Sequence, residues 1–250
     1  MNDADQERHA ARFVPLPGTL NARDLGGLPL AAGGTTRHGQ LLRSDVPLRL
    51  DEPGREQLLR LGIRTVVDLR EAFEAERDRN ALVGHDGIAV HRVEVWRLIN
   101  DSGVTPDDPW SITGFYLSAL DHAGTAFAQA VRLLAEAEGA ALFHCTAGKD
   151  RTGLLALLVL ELVGVTRKAV IEDFALTEAR IGPIRERLTE DAELRGIART
   201  DFERLLGATP DLIEPALAHL DRAHGGAETY LRRHGAEAAT IERLRAKLSG

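Results

Sequence analysis

Residues 140–160 read AALFHCTAGKDRTGLLALLVL, and this stretch decides the fold. The apolar run Ala140–His144 is typical of a buried central strand, and the almost wholly apolar run Leu154–Val163 predicts a buried helix. Between them lies a short polar loop that holds Cys145, the only cysteine of the chain. The order of strand, loop and helix is typical of an α/β protein.

Strands and helices alternate on both sides of this stretch. The β-branched run Ile63–Leu69 and the valine-containing run Gly87–Val95 predict two strands, and Leu41–Asp45 ends a third. Helices are expected over Pro53–Leu61, Glu71–Arg79, Ile112–Glu138 and Thr166–Ala179, the last with Thr166 as its N-cap. We therefore expect an α/β fold in which a mostly parallel central sheet is flanked by helices.

The sequence pattern changes near residue 182. Residues 13–181 are expected to form the α/β core, and residues 182–250 have an all-helical pattern that is broken at Gly207, Pro210, Gly225-Gly226 and Gly235. We expect this C-terminal helical segment to pack on the core, either as a subdomain or as a lid over a functional site.

Composition excludes several classes of protein. The 250 residues carry a net charge of −7, which argues against nucleic-acid or membrane-surface binding through a wide basic face. A single cysteine excludes an intramolecular disulfide and a multi-cysteine zinc site. The apolar run Leu154–Leu160 is far shorter than the roughly 20 residues needed to cross a bilayer. Because residues 1–12 lack the pattern of a secretory signal, we expect a cytoplasmic location, with export without a cleaved signal left open.

The loop after the central strand has the features of a phosphate cradle. A helix N-terminus presents N–H groups without intrahelical partners and the positive end of the helix dipole. Successive loop amides can also close around an anion. Gly148 permits the backbone angles of such a tight loop, and Arg151 supplies a planar fork of donors for two phosphoryl oxygens.

Cys145 is expected at the base of this cradle. The amides and the Arg151 guanidinium that would bind a phosphate also stabilise a thiolate, because cysteines near helix N-termini and cations ionise readily. A thiolate in this place is poised for in-line attack on phosphorus. Thr152 can donate a hydrogen bond to the sulfur, and His144 can brace the loop through its ring nitrogens.

The spacing His-Cys-x5-Arg-Thr, with a glycine three residues after the cysteine, resembles the cysteine-dependent protein tyrosine phosphatase superfamily. The longer string HCTAGKDRTG is similar to the atypical bacterial tyrosine-protein phosphatases. The resemblance runs from about residue 13 to residue 180 and includes the stretches Asn21–Gly27, Leu42–Asp45, Ile63–Arg70 and Asp173–Thr177.

This resemblance implies the fold of the tyrosine and dual-specificity phosphatases and the hydrolysis of phosphomonoesters through a phosphocysteine intermediate, with no metal and no cofactor. The implied substrates are phosphotyrosine in proteins, with dual specificity and phosphoinositides as extensions. Cys145 is then the nucleophile and Arg151 binds the phosphoryl group. The loop residues that would contact the substrate are Thr146, Ala147, Gly148 and Lys149.

The identity of the general acid stays open in the sequence. The atypical family implies Asp150, which lies inside the cradle. Asp68 ends a predicted strand at the same edge of the sheet, although it also suits a structural ion pair with Arg70. Asp107 and Asp108 lie in the loop where a separate acid loop would fall.

Other functions use some of the same residues. Lys149 favours highly charged phosphates, which would make phosphoinositides the main substrate, unless its side chain is merely solvated at the rim. Sulfur transfer and arsenate reduction also use an anion loop with a cysteine, but they need a shorter loop and further cysteines, respectively. A catalytically weak phosphate-binding module would retain the cradle and release no phosphate.

Overall fold

The fold is built on a five-stranded sheet in the order β1-β2-β5-β3-β4. The computed structural model describes residues 10–97, 111–194 and 196–249. The strands are β1 (Arg23–Asp24), β2 (Leu41–Ser44), β3 (Ile63–Asp68), β4 (Ala89–Arg92) and β5 (Ala140–His144). Only the pairing of β1 with β2 is antiparallel, so the expectation of a mostly parallel sheet is confirmed.

Helices connect the strands and cover both faces of the sheet. Those in the first 181 residues are α1 (Glu52–Arg60), α2 (Ala72–Arg77), α3 (Ile112–His122), α4 (Gly124–Glu136), α5 (Asp150–Leu162) and α6 (Arg167–Ala175). Those that follow are α7 (Gly182–Glu193), α8 (Arg199–Glu203), α9 (Pro210–His224), α10 (Ala227–Arg233) and α11 (Ala238–Leu248). None of the helices described is long and apolar enough to cross a membrane.

The central strand and the helix after it form the centre of the core, as the opening stretch predicts. Every residue of β5 is buried, and α5 is buried along almost its whole length. The helix begins at Asp150, four residues before the apolar run, because its first turn is polar and faces the loop. Thr166 is the N-cap residue of α6, as predicted, but its side chain makes no capping hydrogen bond.

One predicted helix, Ile112–Glu138, is wrong as a continuous element. The structure divides it into α3 and α4 at Ala123, whose backbone leaves the helical region. Gly124 begins the second helix, and a Cβ at that position would come within 2.3 Å of the His234 ring. The absence of a side chain thus lets the C-terminal segment pack directly on the break.

The C-terminal helical segment lies in two places. Helices α7 and α8 lie over the carboxyl edge of the sheet, where they line the cavity described below. Helices α9, α10 and α11 bury Ile213, Leu217, Tyr230 and Ile241 in the same apolar core as α3–α5. The last three helices share one core with the preceding residues, so no gap in the core marks a boundary at residue 182. That domain boundary stays a prediction.

Candidate active site

The loop between β5 and α5 forms a tight cradle at the carboxyl edge of the sheet. Cys145 follows β5 directly and is 2% exposed. Gly148 has φ +67°, and a Cβ there would come within 2.5 Å of the Ser44 carbonyl oxygen. Only glycine fits that position without displacing β2, so the loop can approach the neighbouring strand closely.

Side chains from the N-terminal strands hold the carbonyl groups of the cradle. Arg43 donates from Nη2 to the Gly148 carbonyl at 2.8 Å, and Asn21 donates from Nδ2 to the carbonyls of Ala147 and Gly148 at 3.2 Å. The Thr146 carbonyl accepts from the backbone amide of Val46. These bonds fix the carbonyl groups of the loop, and its amide groups are the donors expected to face an anion.

A cluster of three arginines lies behind the cradle. Arg12, Arg23 and Arg43 all pair with the carboxylate of Asp173, and all four side chains are buried. Burial would raise the pKa of Asp173, but the three arginines outweigh it and hold that pKa far below its usual range. Three of the four segments that carry the family resemblance, Asn21–Gly27, Leu42–Asp45 and Asp173–Thr177, therefore meet here and support the cradle from behind.

Arg151 is held in place by Glu74 of α2. Its Nη1 and Nη2 atoms donate to the two carboxylate oxygens of Glu74 at 2.5 and 2.7 Å. Burial raises the pKa of Glu74, but the hydrogen bonds and charge of Arg151 lower it to about 2. Burial alone would lower the pKa of Arg151, but Glu74 raises it above its usual value, so the pair stays ionised.

Glu74 also accepts a hydrogen bond from the Thr146 hydroxyl at 2.7 Å, so one carboxylate orients both the arginine and the loop. Sequence reasoning missed this residue. Its spacing from Glu71 is typical of a helix capping box, and its carboxylate does accept from the Glu71 amide at 3.0 Å. That local pattern gives no indication of a partner 77 residues away.

Two buried polar groups of this site have no hydrogen-bond partner within the described residues. They are Nε of Arg151 and the hydroxyl of Thr152. Buried polar groups are normally satisfied, so these atoms point to a missing acceptor. A phosphoryl oxygen suits the arginine, and the cysteine sulfur or a substrate atom suits the threonine.

Asp150 is the predicted acid that the structure places in the cavity with Cys145 and Arg151. Its Oδ1 accepts from the Tyr116 hydroxyl at 2.6 Å and lies 2.9 Å from Nζ of Lys149. Burial and the negative charge of Asp150 raise the pKa of Tyr116 well above 10, so the tyrosine keeps its proton and donates it.

Asp68 is not brought into the cavity. Its carboxylate is buried and pairs with Arg70 through two hydrogen bonds of 2.6 and 2.8 Å. Burial raises the pKa of Asp68, but the hydrogen bonds and charge of Arg70 hold it below its usual value. The structural ion pair that the sequence suggested thus describes this residue better than the role of acid. Asp107 and Asp108 lie outside the described residues.

His144 braces the loop from behind. Its Nδ1 lies 3.0 Å from the Cys145 carbonyl oxygen, and its Nε2 lies 2.8 Å from the side-chain amide nitrogen of Asn80. The Asn80 amide oxygen accepts from the Leu82 amide, so its nitrogen faces the ring. Burial lowers the pKa of His144 despite the nearby Asp68. Because the Asn80 amide N–H faces Nε2, Nε2 accepts and Nδ1 donates to the carbonyl of Cys145.

Lys149 does not line the cavity, although its neighbours Asp150 and Leu205 do. Its side chain is 1% exposed, and Nζ donates to the carbonyls of Leu205 and Gly207 at 2.5 and 3.0 Å. The solvated rim position does not describe this side chain, and contact of the loop residue with substrate stays a prediction. The ammonium instead ties the cradle to the segment that follows α8.

The cavity above Cys145 has a volume of about 390 Å³. The core supplies the aromatic side chains of Phe73, Trp96 and Phe115, and the Trp96 ring lies 5.4 Å from the guanidinium carbon of Arg151. The C-terminal segment supplies the opposite wall from α7, α8 and the residues around them: Leu188, Asp191, Ala192, Ile197, Phe202, Leu205 and Leu206.

A thiol at the base of an amide cradle, with a fixed arginine beside it, defines a cysteine-dependent anion site on an α/β fold. Residues 14–250 match the sequence model of the "Tyrosine phosphatase family". The chain belongs to this family and is a protein tyrosine phosphatase, a phosphoric monoester hydrolase.

Three curated relatives span most of the chain. The triple specificity protein phosphatase PtpB of Mycobacterium tuberculosis is 31% identical and covers 94% of this chain and 98% of its own. A tyrosine-protein phosphatase of Nostoc commune is 29% identical and covers 80% of this chain and 71% of its own. A putative tyrosine-protein phosphatase of Cupriavidus necator is 29% identical and covers 91% and 84%, respectively.

Solved structures are more distant. The chain is 21% identical to P. aeruginosa TpbA over 67% of this chain and 86% of that one, with a TM-score of 0.35. A structure of TpbA in complex with phosphotyrosine is 19% identical, covers 93% of this chain and 97% of that one, and has a TM-score of 0.36.

Proposed function

We propose that the enzyme hydrolyses phosphomonoesters through a phosphocysteine intermediate. In the first step, the Cys145 thiolate attacks phosphorus, so that an S–P bond forms as the bond from phosphorus to the leaving oxygen breaks. In the second step, water attacks phosphorus, the S–P bond breaks, and inorganic phosphate leaves. The observation that carries this proposal is the unpartnered Nε of the fixed Arg151 beside Cys145 in one cavity.

The amides of residues 146–151 and the Arg151 guanidinium would hold the phosphoryl oxygens in both steps. Each donor positioned for charge that develops in a transition state is typically worth about a hundredfold or more in rate. Glu74 keeps the arginine in one orientation before the substrate arrives. The guanidinium therefore does not have to be reoriented when the transition state forms.

Asp150 is the proposed general acid. Tyr116 and Lys149 both contact Oδ1, which leaves Oδ2 to carry the proton that goes to the leaving oxygen. In the second step, the same carboxylate accepts a proton from the attacking water, so its protonation state is restored.

Phosphotyrosine in proteins is the substrate class that the cavity supports best. Its walls carry Phe73, Trp96 and Phe115 above the thiol, and such rings suit an aryl phosphate that must reach a deep nucleophile. A relative named as a triple specificity phosphatase supports the extension to phosphoserine and phosphothreonine. Phosphoinositides remain a second candidate, but the Lys149 ammonium is occupied by the carbonyls of Leu205 and Gly207 and adds no support for a polyanionic headgroup.

We further propose that the segment from α7 to residue 207 acts as a lid. Leu188, Phe202 and Leu206 from this segment close the cavity opposite the core side chains. A phosphopeptide would have to displace part of this wall before its phosphate could reach Cys145.

A cytoplasmic location stays a prediction.

Phosphate release from a panel of substrates tests the proposed function. The panel holds a phosphotyrosine peptide, phosphoserine and phosphothreonine peptides, and a monophosphorylated phosphoinositide, each with Cys145→Ser as the blank. Release above the blank, led by the phosphotyrosine peptide, is the expected result. Turnover retained by Cys145→Ser would contradict the mechanism. Release from no substrate, with phosphate-analogue binding intact, would indicate a binding module.

A further inference from the structure

A second cluster of chemically active side chains lies outside the active-site cavity. Asp121, the penultimate residue of α3, faces two histidines of α9. The Nε2 atoms of His219 and His224 lie 2.7 and 2.9 Å from Asp121 Oδ1. The potential ligand atoms of the three residues all lie within 4.8 Å of one another, so a single ion could contact all three.

Two imidazole nitrogens and a carboxylate oxygen are the donors that borderline divalent ions prefer, whereas calcium and magnesium select oxygen ligands. We propose that Asp121, His219 and His224 form a binding site for a divalent transition-metal ion, with Zn²⁺ as the best-suited ion. Three protein ligands would leave a fourth tetrahedral position for water.

The surroundings of the cluster suit a bound ion. The side chain of His224 is 10% exposed and that of Asp121 is 40% exposed, so the cluster has a buried side and an open side through which an ion can enter. The His224 ring packs edge-on against the rings of His219 and Tyr230, with centroids 5.3 and 5.0 Å apart, which fixes the direction of its Nε2.

The second nitrogen of the His224 ring does not face Asp121. Its Nδ1 is buried and has no hydrogen-bond partner in the described part of the chain. In the structure Nε2 lies at hydrogen-bond distance from Asp121, and binding of a metal at Nε2 would move the ring proton to Nδ1. A metal ligand must present a lone pair, and a simple hydrogen bond to Asp121 would instead place the proton on Nε2.

The site would join two helices with different tasks. Helix α9 packs in the main core, and α3 carries Ile112 and Phe115 into the cavity wall and Tyr116 to Asp150. A metal held between them would brace the helix that positions the proposed acid. The ion itself would take no part in catalysis, because none of its three ligands lines the cavity.

Calorimetric titration of the full-length, tag-free, chelator-treated protein with ZnCl₂ tests the site. The titration uses the Cys145→Ser background, because the active-site thiolate is itself a possible zinc ligand. We expect one Zn²⁺ per chain and a rise in Tm on binding, since an ion that binds only the folded state stabilises it. Asp121→Asn and His219→Gln should each weaken binding at least about tenfold.

The matched control is His122→Gln, which removes the exposed histidine next to Asp121 in sequence. It should bind Zn²⁺ as the Cys145→Ser protein does. Circular dichroism confirms that each variant is folded, and His219→Gln provides the test if Asp121→Asn does not fold. Co²⁺ substitution gives an independent readout, because a tetrahedral nitrogen and oxygen site produces visible absorption. The proposal is overturned if Zn²⁺ does not bind, or if folded His219→Gln binds it with unchanged affinity.

Discussion

Both terminal nitrogens of Arg151 are bonded to the carboxylate of Glu74, and its Nε–H is left without a partner. The arginine is therefore fixed at one end and free at the other. This arrangement suits a residue that must hold a phosphoryl group without first losing side-chain entropy. It also makes Glu74 the residue on which the orientation of Arg151 depends.

Glu74→Gln should lower kcat/KM about ten- to a hundredfold. The substitution removes one of the two acceptors and the negative charge that hold Arg151, and misplacement by about 1 Å can cost a hundredfold. Steady-state kinetics on an aryl phosphate measure the effect. Glu76→Gln, at an exposed position of the same helix, is the control and should leave kcat/KM unchanged.

The same pair should contribute to stability in a pH-dependent way. The pKa of Glu74 is lowered from 4.5 to about 2, so its contribution is fully present above pH 4.5 and is lost as the pH falls towards 2. Urea unfolding between pH 6 and pH 3 should show a gap in stability between wild type and Glu74→Gln that narrows below pH 4.5. A gap that is constant over this range would show that the ionised pair contributes nothing.

Asp173→Asn should destabilise the protein by about 3–5 kcal/mol, because it leaves three buried arginines without their shared counter-ion. Arg43 also holds the Gly148 carbonyl, so activity should fall with stability. Urea unfolding measures the change. Asp86→Asn, at an exposed loop position, should shift the free energy of unfolding by less than about 0.5 kcal/mol. Equal effects of the two substitutions would refute the role of the arginine cluster.

Asp150→Asn should slow the hydrolysis of esters with poor leaving groups by about a hundredfold or more, and of those with good leaving groups much less. A good leaving group needs little protonation, so the difference isolates the acid. A series of aryl phosphates with graded leaving-group pKa measures it. Equal losses across the series would mean that Asp150 is not the acid, and the Asp107–Asp108 pair would then be the next candidate.

Lys149→Met should loosen the proposed lid. The ammonium makes two bonds to the carbonyls of Leu205 and Gly207, and a methionine of similar length makes neither. Hydrogen exchange in residues 182–207 should become at least about tenfold faster, since each charge-assisted bond is worth about 1.5–3 kcal/mol. Lys168→Met, at an exposed lysine of α6, is the control. Unchanged exchange in Lys149→Met would show that the lysine does not hold the segment.

The sequence predicted the parts of the fold that depend on local patterns. Apolar runs located β3 and β5, and the loop motif placed Cys145, Asp150 and Arg151 together. The break between α3 and α4 was missed because it depends on the close approach of His234 to Gly124, two positions that are far apart in the chain.

The direction of a side chain was harder to predict than its presence. Lys149 is in the motif, but the carbonyl groups that accept hydrogen bonds from its ammonium belong to residues 205 and 207. Glu74 and the cluster of Asp121 with His219 and His224 likewise depend on contacts between distant segments. Residue type and spacing show which groups are available, and only the packing shows which of them meet.

The burial of Lys149 makes the two parts of the chain interdependent. Without residues 205–207, its ammonium would keep Asp150 as a neighbour and lose both carbonyl acceptors. Truncating the chain before α7 would therefore replace both carbonyl acceptors of the ammonium with water, and it would also remove α9–α11 from the main core. The covering segment is in this sense an internal ligand of the cradle, because its backbone carbonyls satisfy a cation of the catalytic loop.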